Sequence, residues 1–440
     1  MHRNVIFRNE LVPELPISAL EETDPFQLWE RLDALCSQAS TACEALSIPH
    51  NSNVSNGRMF RIPWRGEPEA EQRRKASLRA RWEPLIEMMQ VKGESECARG
   101  LWNVFGEDEL CDFEKIREMN ELALGDCEDD YGTGAITGNS CRSRLDFARY
   151  ALLEGMAEKQ RIGVNPYQFG FIGSTDNHNA APGDVDEGNY RGCCATGDDT
   201  PAARLSADRD FAGSPIAARN PGGLMGIWAE RNDRDTLFDA MQRREVFATS
   251  GPRIQPRLFA GEDFPTDACD GDIAEVGYRD GVSMGEELEL RGSGAPDFLV
   301  AASADPEGNP LQRLQVVKVW LGEDNEFHQR VFDVAGSADN GAAVDLESCE
   351  ASGPQSRQLC ASWADPSWGE TGADTAGFTG SREAAYYLRV LENPSCRWSW
   401  RQCLEIPADQ RPATCEDPNI AKLIQERAWT SPIWISAKDE

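Results

Sequence analysis

The sequence predicts an α/β fold in residues 1–255, followed by a β-rich, sandwich-like domain in residues 256–440. Up to about residue 255, apolar runs of strand length alternate with helical patterns, which is typical of parallel strands joined by crossover helices. After that point, short apolar runs alternate with Gly, Asp and Pro, which favours a β-sandwich. The length of 440 residues also fits two or three domains.

The first half contains the clearest helix signals. Asp24 is a candidate N-cap and Pro25 a first helical residue, and the apolar face that follows runs towards Leu46. The other predicted elements are strands at 4–8 and 85–91, helices at 67–82 and 143–162, and a Cys-rich insertion near 97–142.

The second half contains four apolar runs that we predict to be strands. They are bounded by Gly, Asp and Pro, residues that end strands and form turns. These runs are Phe298–Ala302, Leu314–Leu321, Arg330–Val334 and Ala385–Leu391.

The composition limits the kinds of partner. Lys and Arg number 44 against 75 Asp and Glu, which gives a net charge of -31 and argues against a nucleic-acid partner. No apolar run approaches the roughly 20 residues of a membrane span. We therefore expect a small-molecule substrate, which is anionic if the phosphoester prediction below holds. The oligomeric state is not predicted.

The 14 cysteines favour disulfides and an oxidising compartment, periplasmic or extracellular. Two Cys-x-x-Cys pairs, the pattern of a structural zinc site, do not occur. Met1 leads directly into a strand pattern without a signal peptide. Either the export signal is missing from this chain or the thiols are free, and we favour the first.

Residues 169–183 hold the strongest sign of chemistry. An apolar start suits a buried strand, and the polar end suits a loop at the mouth of a site. Asp176 and His178 are two residues apart, so an extended backbone points both side chains the same way. A carboxylate with an imidazole suits zinc, manganese or iron. The alternative is a turn capped by Asp176, with His178 in solvent.

Other candidate ligands follow or lie on neighbouring predicted strands. His50 comes directly after Ile48-Pro49, at the C-terminal end of a strand, where catalytic residues lie in α/β folds. Glu87, Glu94 and Glu96 each offer a carboxylate near the end of the strand at 85–91. The alternative is that His50 and these glutamates are simply solvated.

A possible anion site follows the strand that begins at Val246. Thr249 and Ser250 offer hydroxyl groups, and Arg253 offers a guanidinium fork. A turn with a surface arginine explains the same residues equally well.

Five segments resemble a bacterial family known as domain of unknown function 3604, which is similar to the PHP (polymerase and histidinol phosphatase) superfamily. The matching segments span nearly the whole chain: Ile48–Asn53, Glu87–Glu96, Gly170–Gly183, Glu245–Arg253 and Ala385–Glu392.

The resemblance implies a PHP-like distorted (β/α)7 barrel, N-terminally incomplete, with divalent metals at the strand ends. It implies that Asp176, His178 and His50 are metal ligands, with Glu96 or Glu87 as a further one. It also implies that a metal-activated water attacks an ester, with Arg253 holding the phosphate. Thr249, Ser250 and Asn179 complete the expected substrate contacts.

One departure from the PHP pattern is serious, because PHP domains open with a His-x-His pair and His2 stands alone here. His328 lies in the β-rich part and is no substitute. We therefore expect either a chain that begins partway through a longer protein or a natural variant. In both cases the metal centre would be incomplete and hydrolase activity weak or absent.

Two other functions compete with a metal-dependent hydrolase. The first is a secreted, non-catalytic module that grips a ligand with its β-sandwich and keeps a degenerate barrel as scaffold. A serine hydrolase is a distant third, because Gly173-Ser174-Thr175 lacks the Gly-x-Ser-x-Gly elbow.

Overall fold

The computed structural model describes residues 2–18, 20–36, 43–115, 125–133, 141–194, 197–207, 215–292, 294–322, 325–368 and 383–437. The predicted continuation of the first helix towards Leu46 is wrong at its end, because Ala45–Pro49 form a strand. Residues 37–42 lie outside the described residues, as do 116–124 and 134–140 of the Cys-rich insertion.

The predicted (β/α)7 barrel is wrong. The described chain is sheet-rich, with seven α-helices and no closed barrel. In the first half, β3 and β6 form a parallel pair. The later strands of that half, β7 and β8, pair antiparallel with each other, and β8 also pairs antiparallel with β21 of the second half, within a mixed sheet. The alternating pattern predicted the elements correctly in several places, but it did not predict their partners.

The helices begin near their predicted positions. The Asp24 carboxylate accepts a hydrogen bond from Phe26 N at 3.0 Å, as expected for the cap of the first helix. The helices are α1 (Pro25–Cys36), α2 (Glu69–Trp82), α3 (Ala148–Ile162), α4 (Pro201–Arg204), α5 (Arg234–Gln242), α6 (Ile273–Asp280) and α7 (Trp398–Leu404).

The strands of the first half are β1 (Arg3–Phe7), β2 (Ala45–Pro49), β3 (Leu85–Gln90), β4 (Gly93–Glu94), β5 (Val104–Phe105), β6 (Gly170–Gly173), β7 (Leu224–Ile227) and β8 (Val246–Thr249). Those of the second half are β9 (Gln255–Gly261), β10 (Gly281–Ser283), β11 (Glu287–Leu290), β12 (Asp297–Ser303), β13 (Leu311–Leu321), β14 (Phe327–Gly336), β15 (Ala343–Val344), β16 (Ala351–Ser352), β17 (Gln358–Ala364), β18 (Glu383–Glu392), β19 (Ser395–Cys396), β20 (Leu423–Ile424), β21 (Arg427–Thr430) and β22 (Ile433–Ala437). The four strands predicted there coincide with β12, β13, β14 and β18.

The largest sheet crosses the predicted domain boundary at residue 255. It has nine strands in the order β5-β14-β13-β18-β21-β8-β7, with β22 beside β18 and β11 beside β22. A four-stranded sheet, β10-β9-β12-β17, packs against it through apolar side chains such as Leu258, Val300 and Leu388. Strands from both predicted domains therefore belong to one sheet.

A smaller sheet, β4-β3-β6, holds the candidate site. Helix α3 connects β3 to its parallel partner β6 and packs Leu152 and Met156 into the core that also contains Ile86 and Phe171. This burial fixes the carboxyl ends of β3 and β6 side by side.

Close backbone packing at Gly173 places the end of β6 against β7 and β8. A Cβ at this position would lie 2.6 Å from Leu224 O and 2.8 Å from Thr249 O. Because both are backbone atoms, we expect Gly173→Ala to lower the free energy of unfolding by about 1–3 kcal/mol, the usual cost of overpacking. Urea denaturation measures it, with Gly292→Ala as control, since nothing lies within 4 Å of that Cβ. Equal effects of the two substitutions would contradict the prediction.

All 14 cysteines are paired, and the sequence did not predict the pairing. The pairs are Cys36–Cys43, Cys97–Cys111, Cys127–Cys141, Cys193–Cys194, Cys269–Cys360, Cys349–Cys396 and Cys403–Cys415. These seven disulfides are consistent with an oxidising compartment. Within the described chain, no helix combines the length and the apolar character that crossing a bilayer requires.

A buried carboxylic acid gives the stability a pH dependence. Burial raises the pKa of Glu392 to about 8, and the proton it binds in the folded state is released in the unfolded state above an ordinary pKa near 4.5. Stability from this group is therefore present below about 4.5 and lost as pH rises towards 8.

We expect the Glu392→Gln variant to have a flatter stability profile than the natural protein. The difference between the two should grow by about 1.4 kcal/mol per pH unit at most within that window. Urea unfolding at pH 5, 6 and 7 measures it. The exposed Glu347→Gln should leave the profile unchanged, and parallel profiles for natural protein and Glu392→Gln would refute the prediction.

Candidate metal centre

Three neighbouring strands position the candidate ligands. His50 directly follows β2, and Glu87 lies within β3. Beyond β6 the ladder continues, because Ser174 N donates to Met89 O at 2.9 Å and Val91 N donates to Thr175 O at 3.1 Å. Lys92 follows Val91 and Asp176 follows Thr175. These two residues therefore emerge side by side from the paired segments.

His50 joins two carboxylates. Its Nδ1 lies 2.9 Å from Glu87 Oε2, and its Nε2 lies 3.3 Å from Asp176 Oδ1. His178 Nε2 lies 3.6 Å from the same Asp176 oxygen. The structure therefore brings together His50, Asp176 and His178, with Glu87 behind His50.

Glu87 is held in place by several donors. Ser174 Oγ donates to its Oε2 at 2.8 Å, and Gln90 Nε2 donates to its Oε1 at 2.9 Å. The backbone N–H of Asn51 also approaches Oε1, at 3.4 Å. A carboxylate fixed this way orients the His50 ring, because Nδ1 donates to it and Nε2 then faces Asp176.

The charges at the centre depend on one another. Burial opposes protonation of His50, but hydrogen bonds with Asp176 and Glu87 outweigh it and raise the pKa of His50 to about 9. Burial would raise the pKa of Asp176, yet hydrogen bonds from His50 and Lys92 hold it well below its usual range. The Lys92 ammonium contacts Asp176 Oδ2. Without a metal, two cations thus flank an ionised Asp176.

Exposure differs among the members of the centre. The side chain of His178 is 64% exposed, whereas those of His50 and Asp176 are 11% and 13% exposed. Two residues have left-handed backbone, Asn51 with φ 66° and Asp176 with φ 50°, and both residue types tolerate it. The centre is therefore a pair of largely shielded side chains with one imidazole at its solvent edge.

His2 also lies near the centre, which the sequence did not predict. The His2 and His50 rings are stacked with their centroids 6.4 Å apart, because β1 pairs with β2 and His50 N donates to His2 O. Three of the four histidines of the chain are thus close together, and His328 is the exception. No spacing in the sequence connects position 2 to position 50; only the strand pairing does.

The structure places Glu96 elsewhere. It is fully buried among Arg149, Arg389 and Tyr387, and its Oε2 accepts a hydrogen bond from Trp429 Nε1 at 2.7 Å. Of the two glutamates suggested by the resemblance, Glu87 is the one beside His50.

Three of the residues expected to contact substrate have side chains that form hydrogen bonds within the protein. Ser250 Oγ bonds Glu426, Thr249 Oγ1 accepts from Gly251 N at 3.3 Å, and Asn179 Nδ2 donates to Gly192 O at 2.6 Å. Arg253 is exposed, and its backbone N–H donates to Asp305 Oδ2 at 2.6 Å. None of the described contacts brings these four side chains to Asp176.

The donor set fits a transition metal, although it is open. Two imidazoles and one carboxylate suit zinc, manganese or iron. Within the described ranges, three sets of candidate ligand atoms lie within 4.8 Å of one another, and His50, Asp176 and His178 are not among them. These sets are Cys97-Asp108-Cys111, Cys193-Cys194-Asp198 and Glu94-Glu96-Cys97. Each of those includes a disulfide-bonded sulfur, which is not available as a thiolate. The His50–Asp176–His178 set has no such sulfur.

A family model described as protein of unknown function (DUF3604) matches residues 1–437. The chain belongs to the DUF3604 family. No curated protein and no solved structure matches the DUF3604 protein. The further likeness to the PHP superfamily stays a prediction.

Proposed function

We propose that the DUF3604 protein is a metal-dependent hydrolase of ester bonds, with phosphoesters as its leading substrates. One observation carries the proposal: Glu87 fixes His50 so that Nε2 faces Asp176 Oδ1, which His178 Nε2 also approaches. A carboxylate behind a ligating histidine is the usual support of a metal site.

His50, Asp176 and His178 would hold the metal. A bound divalent ion supplies an activated water and steadies the charge that develops on the ester. Three protein ligands suit a catalytic ion, which keeps a position open for water or substrate. His50 must be neutral to bind a metal, so loading should improve as pH rises towards its pKa of about 9.

The chain's own residues prepare the centre. Glu87 holds the His50 ring through Nδ1–H, and Ser174 and Gln90 keep Glu87 from rotating. Lys92 keeps Asp176 ionised and places a positive charge at the site. His178 lies at the solvent edge, where a substrate can reach it.

The seven disulfides support a periplasmic or extracellular place of action. In such a compartment the cysteines stay oxidised and the metal is acquired outside the cytoplasm. This localisation is part of the proposed function.

Metal content tests the proposal. The purified protein is stripped with a chelator, reloaded with zinc, manganese or iron, and measured by elemental mass spectrometry beside His178→Ala. We expect about one ion or more per chain in the natural protein, and a loss of at least tenfold in affinity for the variant. Reloaded protein is then screened for hydrolysis of phosphomonoesters, phosphodiesters and sulfate esters.

The control is His328→Gln, which changes the histidine that lies away from the centre. It should keep both metal and hydrolysis. A natural protein that retains no metal at any pH between 6 and 9, or a His178→Ala variant that retains it fully, would refute the proposed centre.

A non-catalytic binding module is the second candidate. A large cavity away from the metal centre favours it. This cavity of about 540 Å³ is lined by Trp228, Tyr278 and Arg257, with Arg257 stacked on the Trp228 ring. Aromatic and charged groups in one cavity are typical of ligand sites. Ligand binding that survives His178→Ala in a protein without bound metal would favour this function.

A further inference from the structure

A second cavity lies next to the centre and shares Lys92 with it, although His50, Asp176 and His178 do not line it. It has a volume of about 240 Å³ and includes Lys92, whose ammonium contacts Asp176. A cavity of this size exceeds the roughly 30 Å³ share of one water several times over. Its walls come from the β3–β4 turn, the segment after Cys111, the loop before β7 and the start of α7. The polar lining residues are Lys92, Asp112, Glu114, Lys115, Arg219, Asn220, Arg397 and Asn419.

The cavity lining is rich in cations. Lys92, Lys115, Arg219 and Arg397 line it, against two carboxylates, Asp112 and Glu114. This excess contrasts with the chain as a whole, whose net charge is -31. Four basic side chains are thus concentrated at one cavity of an acidic protein.

The carboxylates that pair with these cations lie mostly behind the cavity wall. Lys92 contacts Asp176, Lys115 contacts Glu94, and Arg219 lies 3.3 Å from Asp198. None of those three carboxylates lines the cavity. They hold these three cations in position from outside the cavity lining.

Arg397 is the most constrained of the four. It is 3% exposed, and its Nη1 donates to Glu114 Oε1 at 2.7 Å while Nη2 donates to Arg219 O at 2.9 Å. Its Nε is buried and has no hydrogen-bond partner in the described parts of the chain. A buried N–H left without an acceptor is costly.

We propose that this cavity binds an anionic group, a phosphate or a carboxylate, on the substrate of the neighbouring centre. Guanidinium and ammonium groups with an amide are the donors that such groups prefer. This inference rests on the proposed function for its link to hydrolysis. It narrows the substrates to esters that carry a second anionic group, which lies beyond Lys92 when the ester is at Asp176.

Calorimetric titration of the metal-stripped, full-length protein tests the cavity. Inorganic phosphate and acetate are titrated separately at constant ionic strength, so that the two arms distinguish phosphate from carboxylate. We expect at least one of them to bind, with Arg219→Gln and Arg397→Gln each weakening the affinity at least tenfold. Arg219→Lys, which keeps the charge, should lose less.

Two controls locate the binding. Arg243→Gln removes an arginine from the larger cavity and should leave the affinity unchanged. His178→Ala should also leave it unchanged, because the protein holds no metal in this experiment. Circular dichroism checks each fold, and Arg219→Gln decides the matter if Arg397→Gln does not fold.

No binding of either anion by the natural protein would overturn the proposal. So would equal losses in Arg219→Gln and Arg243→Gln, or a loss in His178→Ala alone. Failure of the proposed function can be distinguished from failure of the cavity proposal, because it appears as a lack of metal in the elemental measurement. Phosphate or acetate binding to the stripped protein does not depend on that result.

Discussion

Asp176→Asn is expected to lose its metal almost completely, with an affinity at least 100-fold below that of the natural protein. Asp176 is the group that both imidazoles approach, through one oxygen, and the amide is a poor ligand for zinc, manganese or iron. The change also leaves Lys92 and His50 without the anion between them. Elemental mass spectrometry after reloading measures the loss.

Glu87→Gln is expected to weaken metal binding less than Asp176→Asn does. Because Glu87 orients His50 and does not itself face Asp176, the change should weaken metal binding by about 10- to 100-fold. Asp176→Asn should therefore have the larger effect. Metal binding that is the same in Asp176→Asn and in the natural protein would place the ion elsewhere.

The second large effect is expected on stability, at Glu96. Four fully buried or nearly buried charges meet there: Glu96, Asp108, Arg149 and Arg389. Burial would raise the pKa of Glu96, but Arg389 and Arg149 hold it below the usual range. Glu96→Gln leaves two arginines facing one carboxylate, and we expect a loss of about 3–5 kcal/mol in the free energy of unfolding.

An exposed ion pair serves as the control. Glu69 pairs with Arg73 at 2.6 Å on the surface of α2, and Glu69→Gln should cost about 0.5 kcal/mol or less. Urea unfolding measures both variants. A loss below 1 kcal/mol for Glu96→Gln would contradict the prediction. The folded fraction of Glu96→Gln should still bind metal, because Glu96 does not contact His50.

Part of the site could be predicted because it depends on local pattern. Asp176 and His178 follow an apolar strand at a spacing of two, and His50 follows another strand, so we predicted that they converge. The extended backbone assumed for that prediction is wrong, because Asp176 has a left-handed φ of 50°. Local pattern could not tell which of Glu87 and Glu96 lies beside His50. Arg149 and Arg389, the partners that bury Glu96, are 53 and 293 residues away in the chain.

The fold was predictable in its elements and not in its pairing. Asp24 and Pro25 mark the start of α1, and apolar runs mark β12, β13, β14 and β18. The pairing of β8 with β21 joins residues about 180 positions apart, Thr249 with Ala428 among them, and leaves no periodic trace in one sequence. The predicted (β/α)7 barrel assumed that strands close in the sequence pair with one another, and the long-range pairing of β8 with β21 does not follow that assumption.

The shared sheet has a consequence for how the molecule opens. Strands β7 and β8 cannot separate from β21 and β18 without breaking the same ladder, so the chain should behave as one cooperative unit. A ligand bound beside β2 and β6 then adds its binding free energy to the stability of that whole unit. Loading the centre should slow amide hydrogen exchange in β18 and β21, which follow His178 by more than 200 residues in the chain.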